Sequence, residues 1–389
     1  VRFQHEALKA YWSDAESCWI IETNQGEFRA RFAIMACGPM HEPVLPKVKG
    51  LDSFEGEIFH SSRWRHDINL RGKRVAVIGT GASAIQFVPE IQPLVKHLSV
   101  FQRTPHWVLP KMDQTLPPLV QRLFKHLPLA QLAVRGAVFG IFETLNGGMQ
   151  NIAAMKQFQR LALFNLRRTV RDPEIRQRLT PNYVIGCKRV LQSNQWYPAL
   201  VQKNVDVISS ALAEVRGKTL IAADGSEHEV DVIILGTGFE VAEPPIAKRV
   251  FNRHGVSMAD VWQGSPEGYL GTMVGDCPNG FLMFGPNIAV SSSAFLIIEA
   301  QLTYIVDAIT QARAQGITSI ETNPERMAEF NRRVQSALQD SVWNRGGCSS
   351  YFIDRNGRNS TAWPWTTLEM RRQLSRFNLD EYLINQQAL

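Results

Sequence analysis

Gly79, Gly81, Ser83 and Ala84 stand where a short apolar run, residues 75–78, gives way to a segment with helical periodicity. A strand, a glycine turn and a helix together form the unit that binds the pyrophosphate of a dinucleotide. The first glycine allows a tight turn, and the second lets backbone amides approach the phosphates. Ala84 replaces the third glycine with a methyl group that is still small enough for close packing. Unpaired N–H groups at the helix N-terminus add partial positive charge.

The type of dinucleotide depends on the residues directly after the next expected strand, residues 98–101. An NAD site has Asp or Glu there to bind the ribose hydroxyl, whereas this chain has Gln102, Arg103 and Thr104. The planar fork of Arg and the hydroxyl of Thr suit the 2′-phosphate of NADPH. The sequence therefore predicts NADP binding by the glycine turn with Arg103 and Thr104. The alternative is an ordinary α/β turn with a surface Arg.

Two further stretches share one plan. Residues 18–38 and 219–239 each read as a hairpin followed by a buried strand that ends in glycine, which indicates two nucleotide-binding architectures of α/β class. Two unrelated hairpins are the alternative. A strand at 281–284 leads into a glycine-containing turn, a serine-rich turn at 291–293 and an apolar helix. The N–H groups at the start of this helix would be available to a flavin ring or a phosphate. The FAD-binding candidates from these segments are Gly38, Gly285, Pro286 and Asn287.

The composition excludes several classes of protein. Of the 389 residues, 44% are apolar and 20% are charged, as in ordinary globular proteins. The net charge of +6 is scattered along the chain, so nucleic-acid binding is not expected. Five cysteines lie far apart without CxxC spacing, which predicts a cytoplasmic protein without a metal cluster or a dithiol redox pair. No apolar run reaches membrane-spanning length.

A helical insertion is expected at residues 114–180, with breaks at Pro117-Pro118, Pro128 and Gly147-Gly148. Its apolar half, residues 129–142, is interpreted as packed core. The alternative is a face that touches a membrane.

The repeated plan predicts interleaved domains. Residues 1–50 would end the first half of an FAD domain, and residues 51–70 would be a linker. Residues 71–228 would form the NADP domain, and residues 229–389 would return to the FAD domain. The chain opens in mid-pattern with Val rather than Met, so we expect the first glycine turn of the FAD domain to lie upstream of this chain. Whether FAD is retained without that segment is left open.

Phe54, Gly56, His60 and Trp64 have a spacing that resembles the fingerprint of type I Baeyer–Villiger monooxygenases, which are class B flavin-dependent monooxygenases. The resemblance extends over the chain. It includes residues 102–105, 186–189, 236–239, 285–287 and 299–301. One departure is Arg65, where the family usually has Pro or Asp.

The resemblance implies a fold like glutathione reductase, with two interleaved Rossmann-like domains for FAD and NADP and a helical insertion. It implies that NADPH reduces FAD and that the reduced flavin captures O₂ as a C4a-peroxide. The peroxyflavin would attack a small apolar ketone, and the adduct would rearrange to an ester or lactone.

The resemblance also assigns roles to single residues. Arg189 matches the catalytic Arg of the family, and Lys188 matches a residue that reaches the NADP 2′-phosphate. Tyr351 stands where the family often has Trp near the nicotinamide. His60 would form an interdomain hydrogen bond rather than act as a base, and Asp172 is a possible orienting partner for Arg189.

Two alternatives remain open at this point. One is a class B enzyme that oxidises nitrogen or sulfur, and the other is a non-catalytic NADPH-binding fragment. A disulfide reductase of the same general fold is disfavoured because the chain lacks a CxxC motif.

Overall fold

The computed structural model describes residues 1–111, 113, 115–290 and 292–386. Gln114 at the start of the expected insertion and Ser291 in the serine-rich turn lie outside the described residues. The strands are β1 (Ala7–Ser13), β2 (Cys18–Thr23), β3 (Gly26–Ala30), β4 (Ala33–Met35), β5 (Glu57–His60), β6 (Arg74–Ile78), β7 (His97–Phe101), β8 (Val108–Leu109), β9 (Leu191–Gln192), β10 (Val205–Ile208), β11 (Leu212–Arg216), β12 (Thr219–Ala222), β13 (Glu227–Glu229), β14 (Val232–Leu235), β15 (Val250–Phe251), β16 (Gly280–Leu282), β17 (Ile317–Thr322) and β18 (Tyr382–Gln386).

The helices include the expected insertion. They are α1 (Ala84–Ile91), α2 (Pro118–His126), α3 (Pro128–Gly148), α4 (Ile152–Thr169), α5 (Pro173–Arg178), α6 (Trp196–Leu200), α7 (Met258–Trp262), α8 (Ala294–Ala314), α9 (Pro324–Leu338), α10 (Val342–Arg345) and α11 (Thr367–Gln373). Pro118 and Pro128 each occupy the first turn of a helix, and α3 ends at Gly148. The predicted breaks are therefore confirmed, because proline is tolerated where a helix starts.

A five-stranded parallel sheet organises the middle of the chain, in the order β10-β7-β6-β14-β5. The core of β6 and all of β14 are buried, which explains their continuous apolar runs. Val75 and Val77 point to one side, where they pack with α1 and α6. Ala76 and Ile78 point to the other, where the antiparallel β11-β12-β13 sheet covers them. The sheet is thus buried on both faces.

The repeated plan of the sequence corresponds to two similar units. The antiparallel β2-β3 pair precedes β4, which pairs in parallel with β16. The antiparallel β12-β13 pair precedes β14, which pairs in parallel with β5 and β6. The central sheet thus includes β5 from the expected linker and β14 from beyond residue 228, while the domain boundaries themselves stay a prediction.

The expectation that residues 129–142 form packed core is wrong. None of these residues is buried, and Leu129 and Leu132 are 71% and 62% exposed. Apolar periodicity identifies a helix, but it does not identify what covers the helix.

Candidate active site

The turn after β6 has the geometry that its glycines predict. Gly79 has φ +108°, and a Cβ built there would lie 2.4 Å from the carbonyl oxygen of Gly236, which follows β14. A Cβ on Gly81 would meet nothing within 4 Å, so this position faces open space. The half-buried Ser83 side chain makes no capping hydrogen bond at the start of α1, and Ala84 is fully buried. Backbone and hydroxyl donors are therefore available for a pyrophosphate.

The residues directly after β7 differ in their roles, since one is structural and the next two are available to a ligand. Gln102 is buried and donates from Nε2 to the backbone oxygen of Arg178 at 2.9 Å, so its role is structural. Arg103 is exposed and Thr104 half-buried. Burial lowers the pKa of Lys188, and the positive charge of Arg103 lowers it further, so the two cations are close enough to repel each other. Such a pair is stabilised by an anion placed between them.

His106 is a member of this cluster that the sequence reasoning missed. Burial, helped by the charge of Lys188, lowers the pKa of His106 to about 4. Its buried Nδ1 has no hydrogen-bond partner within the described part of the chain. The Lys188 ammonium lies 5.3 Å from the ring centroid of Tyr183, whose hydroxyl donates to the Pro105 oxygen at 3.1 Å. The position of His106 directly after the 102–105 motif was the available signal.

A cavity of about 1180 Å³ lies beside this cluster. Its wall brings together six of the predicted site residues, which are far apart in sequence: Gly38, Lys188, Arg189, Gly285, Pro286 and Tyr351. Its charged lining consists of five cations and one acid, namely Lys111, Arg135, Lys188, Arg189, Arg371 and Glu299. The excess of positive charge suits phosphate-bearing cofactors and a reaction that develops negative charge.

Arg189 is the predicted catalytic residue, and it is exposed to this cavity. Within the described residues its guanidinium makes no hydrogen bond or ion pair. Burial raises the pKa of Tyr351, and the charge of Arg189 opposes that shift, so these two side chains are neighbours on the wall. The possible pairing of Asp172 with Arg189 is wrong, because Asp172 instead caps α5 by accepting from the N–H groups of Glu174 and Ile175.

The four predicted FAD-binding residues differ in their surroundings. Gly38 has φ +68°, and a Cβ built there would meet nothing within 4 Å, so the backbone is open to the cavity. A methyl at Gly285 would lie 2.5 Å from the carbonyl oxygen of Gly271, so this glycine is required by chain packing. Pro286 lines the cavity. Asn287 is buried and its Nδ2 donates to Asn359 O at 2.8 Å and Ala362 O at 3.1 Å, whereas its buried Oδ1 has no hydrogen-bond partner within the described residues.

The fingerprint residues pack around the glycine turn. A methyl at Gly56 would lie 2.4 Å from Asp231 O and 2.6 Å from the Phe54 ring, so only glycine fits there. Trp64 packs edge-on against Phe59, and at a tilt against Phe87 of α1, both with centroids 5.2 Å away. The fingerprint therefore supports the helix that follows the turn.

His60 is buried at the end of β5. Its Nδ1 accepts from the Ser62 N–H at 3.1 Å and lies 2.8 Å from the Ser62 hydroxyl, and its ring meets Phe239 edge-on with centroids 5.6 Å apart. Burial lowers the pKa of His60, and the nearby backbone of Gly238 opposes this shift. The Nδ1 contacts of His60 are thus local, whereas its buried Nε2 has no hydrogen-bond partner within the described residues. The expected interdomain bond stays a prediction.

The spacing of the cysteines predicted no dithiol pair, but two of them are bonded to each other. Cys187 and Cys348 form a disulfide with a Cα–Cα distance of 6.1 Å, whereas Cys18, Cys37 and Cys277 are free. The pair is separated by 161 residues, so spacing rules for local motifs could not reveal it.

Comparison with known proteins identifies the family. The chain is 43% identical to a Baeyer–Villiger monooxygenase of Streptomyces coelicolor over 99% of its own length and 75% of that protein. The chain belongs to the Baeyer–Villiger monooxygenase family. A second member of the family, from Pseudomonas aeruginosa, is 39% identical over 97% of this chain and 72% of its own length. The family model "FMO-like: Flavin-binding monooxygenase-like" matches residues 15–130.

The fold of this family member agrees with a solved structure. Cyclohexanone monooxygenase from Rhodococcus sp. Phi1, bound to NADP⁺, superposes with a TM-score of 0.84 at 24% identity, covering 99% of this chain and 81% of that one. The predicted family and the predicted fold of two Rossmann-type domains are thereby confirmed. The roles of single site residues stay predictions.

Proposed function

We propose that this chain is an FAD- and NADPH-dependent monooxygenase that inserts one oxygen atom of O₂ next to a ketone carbonyl and forms an ester or lactone. Family membership supports this reaction. The observation that carries it is Arg189, a cation without an ion pair within the described residues, on the wall of a large cavity shared with Gly38 and Tyr351.

The residues on the cavity wall fit the cofactors. A Cβ at Gly38 or Gly81 would meet no heavy atom within 4 Å, so the backbone at both positions is open to an approaching cofactor. Gly38, Gly285 and Pro286 would hold FAD, together with the N-terminus of α8, where Ser293 caps the helix and lines the cavity. FAD reduced by NADPH supplies the transfer of oxygen from O₂.

Lys188, Arg103 and Thr104 would hold the NADPH 2′-phosphate, with Gly81 and Ser83 at the pyrophosphate. The mutual repulsion of Lys188 and Arg103 is relieved when a dianionic phosphate lies between them. The ring of His106 is kept neutral at pH 7 by burial and by Lys188, so it adds a polar wall and no positive charge.

Arg189 has one task in this chemistry. When the carbonyl carbon of the ketone is attacked, negative charge develops on the carbonyl oxygen, and a fixed guanidinium stabilises that charge. The guanidinium keeps its proton under all conditions in a protein, so its charge is constant through the cycle. Tyr351, beside it, excludes water from one side of the cavity.

The test is the substitution Arg189→Ala in protein supplied with FAD. Loss of one charge-stabilising donor should lower kcat for a ketone by about 10²–10³-fold. Oxidation of a thioether develops no such oxyanion and should fall less than about threefold by the same physical argument. Arg313→Ala, an exposed arginine near the far end of α8, serves as the control. Equal losses for both substrates would overturn the assigned role of Arg189, and a parent chain that oxidises the thioether but not the ketone would favour the nitrogen- or sulfur-oxidising alternative. Inactivity of the FAD-supplied chain would favour the non-catalytic fragment.

The partners of the enzyme are a small apolar ketone, O₂ and a lipid surface that the α2–α3 hairpin contacts. Leu119, Leu129 and Leu132 are each more than 60% exposed, at 77%, 71% and 62%. Residues 115–134 carry Arg122 and Lys125 but no Asp or Glu. Exposed apolar side chains beside basic ones are typical of segments that lie on anionic bilayers.

Within the described residues, no helix has the length and apolarity to span a bilayer. A cytoplasmic location belongs to this proposal.

Sedimentation with vesicles tests the surface contact. The chain should pellet with phosphatidylglycerol-rich vesicles and not with pure phosphatidylcholine, and Leu129→Ser/Leu132→Ser should abolish pelleting. Leu383→Ser, 48% exposed on β18, is the matched control and should pellet like the parent chain. Vesicle binding that survives the double substitution would overturn the assignment.

A further inference from the structure

The Cys187–Cys348 disulfide joins two loops that carry predicted site residues. Lys188 and Arg189 directly follow Cys187, and Tyr351 lies shortly after Cys348. Lys188, Arg189 and Tyr351 all line the cavity. A bond between the two sulfurs therefore fixes the backbone beside the 2′-phosphate cluster to the backbone of the loop that leads to Tyr351.

The two loops are held together by more than the sulfur atoms. The Val184 N–H donates to Gly346 O at 2.9 Å, which links the loops by their backbones. A methyl at Gly346 would lie 2.5 Å from Cys187 Cβ, so only glycine lets the loops approach this closely. Gly186 is similarly enclosed, with Val342 Cγ1 3.1 Å from a methyl position. Reduced thiols would remain neighbours, so the bond can form and break without refolding.

The two sulfurs differ in accessibility. Cys187 is fully buried, whereas Cys348 is only partly buried at the edge of the same apolar cluster. An oxidant that enters from solvent therefore meets Cys348 first, and Cys187 is positioned to resolve the oxidised sulfur.

We propose that Cys187 and Cys348 form a peroxide-responsive switch that sets the affinity of the enzyme for NADP⁺ and NADPH. This proposal rests on the proposed NADP site. The thiolate of Cys348 attacks hydrogen peroxide, its sulfur becomes a sulfenic acid, and the O–O bond breaks to release water after proton transfer. The thiol of Cys187 then attacks that sulfur, forms the S–S bond and releases a second water. Two thiols are oxidised by two electrons and one peroxide is reduced to two waters. A dithiol reverses the change by thiol–disulfide exchange.

The bridge acts through the freedom of the loop. In the bridged form the segment that carries Lys188 is fixed, so little conformational freedom remains to be lost when phosphate binds. In the dithiol form the same segment samples more conformations, and binding must order it. The bridged enzyme should therefore bind NADP⁺ about three- to tenfold more tightly.

Thiol counting tests the chemistry. Of the five cysteines, three are free in the bridged form. Denatured protein should therefore give three titratable thiols after one equivalent of hydrogen peroxide and five after dithiothreitol. A peptide that joins the segments around Cys187 and Cys348 should appear only in the oxidised digest. Peroxide treatment that links another pair, or leaves five thiols, would overturn the proposal.

Calorimetric titration with NADP⁺ alone tests the effect, since it requires neither FAD nor turnover. The wild-type chain should bind less tightly after reduction and regain its affinity after peroxide, and this comparison needs no substitution. Cys348→Ser should bind like the reduced chain in both conditions. Cys18→Ser removes a free, half-buried thiol and should switch like the wild type. Equal affinity in both redox forms would overturn the switch and leave the proposed function intact. Absence of binding in either form would overturn both.

Discussion

The turns after β4 and β6 each contain a glycine with positive φ, yet the two glycines meet different surroundings. After β6, the carbonyl oxygen of Gly236 lies 2.4 Å from the position that a Cβ on Gly79 would take. After β4, Gly38 has a positive φ and no heavy atom within 4 Å of a methyl position. At one end a glycine permits protein to pack on protein, and at the other it leaves space beside the cavity.

A glycine in such a motif can be required for one of two reasons: close packing of protein against it, or open space for a ligand. The sequence alone does not tell these two reasons apart. Gly79 and Gly81 belong to one turn, but Gly79 is enclosed by protein while Gly81 is open. Gly285, expected to approach a cofactor, is enclosed by Gly271. Substitution at enclosed glycines should affect folding, and substitution at open glycines should affect cofactor binding.

Gly79→Ala should have the largest effect on stability. The methyl group would overlap the Gly236 carbonyl, and the residue would hold φ +108°. The backbone conformation costs about 1–2 kcal/mol and the overpacking about 1–3 kcal/mol, so the free energy of unfolding measured in urea should fall by roughly 2–5 kcal/mol. Gly72→Ala, with φ +69° and no close atom, carries the backbone cost alone and is the matched control. Gly38→Ala should resemble the control in unfolding but weaken FAD retention. Equal losses at Gly79 and Gly72 would contradict the packing role.

Acid should lower the free energy of unfolding through His106, which lies beside the predicted NADP site. The folded-state pKa of His106 is about 4, below the usual value near 6.5 of an unfolded chain. Between those values the unfolded chain binds a proton that the folded chain does not, so the free energy of unfolding falls as pH decreases from 6.5 to 4. The loss from His106 is of order 3 kcal/mol, and burial of His60 acts in the same direction.

Thermal unfolding at pH 7.5 and 4.5 measures this effect. His106→Asn should narrow the difference in Tm between the two pH values, whereas His126→Asn, an exposed residue at the end of α2, should leave it unchanged. A pH response that His106→Asn does not alter would place its origin elsewhere.

Arg103→Ala should have a smaller effect that is specific to one coenzyme. Loss of a 2′-phosphate contact should raise the KM for NADPH by about 10–100-fold, as expected for a charge-assisted hydrogen bond, and change that for NADH little. Steady-state reduction of FAD with each coenzyme measures the ratio. Arg65→Ala, whose guanidinium pairs with Asp67, is the control. Equal changes for both coenzymes would exclude a role at the 2′-phosphate.

Local patterns predicted much of the fold. Proline and glycine marked the limits of α2 and α3 because these residues act through backbone geometry within one turn. The apolar run at residues 75–78 and the following glycines identified the β6 turn for the same reason. Parallel pairing of β14 between β5 and β6 joins distant segments, and no local pattern specifies it.

The site was less predictable because its parts meet only in three dimensions. Motif position led to Arg189 and Tyr351, and both line one cavity. The cysteine pair depends on distant chain segments, so type and spacing alone could not predict it. Asp172 was misjudged for a local reason, because it caps the helix that begins directly after it. The contacts of Asn287 Nδ2 also involve a distant segment, and its role at the cofactor stays a prediction. Exposure of residues 129–142 likewise depends on whether another element covers them.

The position of β14 also determines when this sheet can form. Within the described strands, β5 pairs only with β14, and β14 separates β5 from β6. During synthesis, β5 and β6 emerge from the ribosome long before β14, because the insertion helices lie between β6 and β14 in the chain. The edge strand must therefore wait unpaired until residues 232–235 appear, which favours slow, late folding and a period of chaperone dependence.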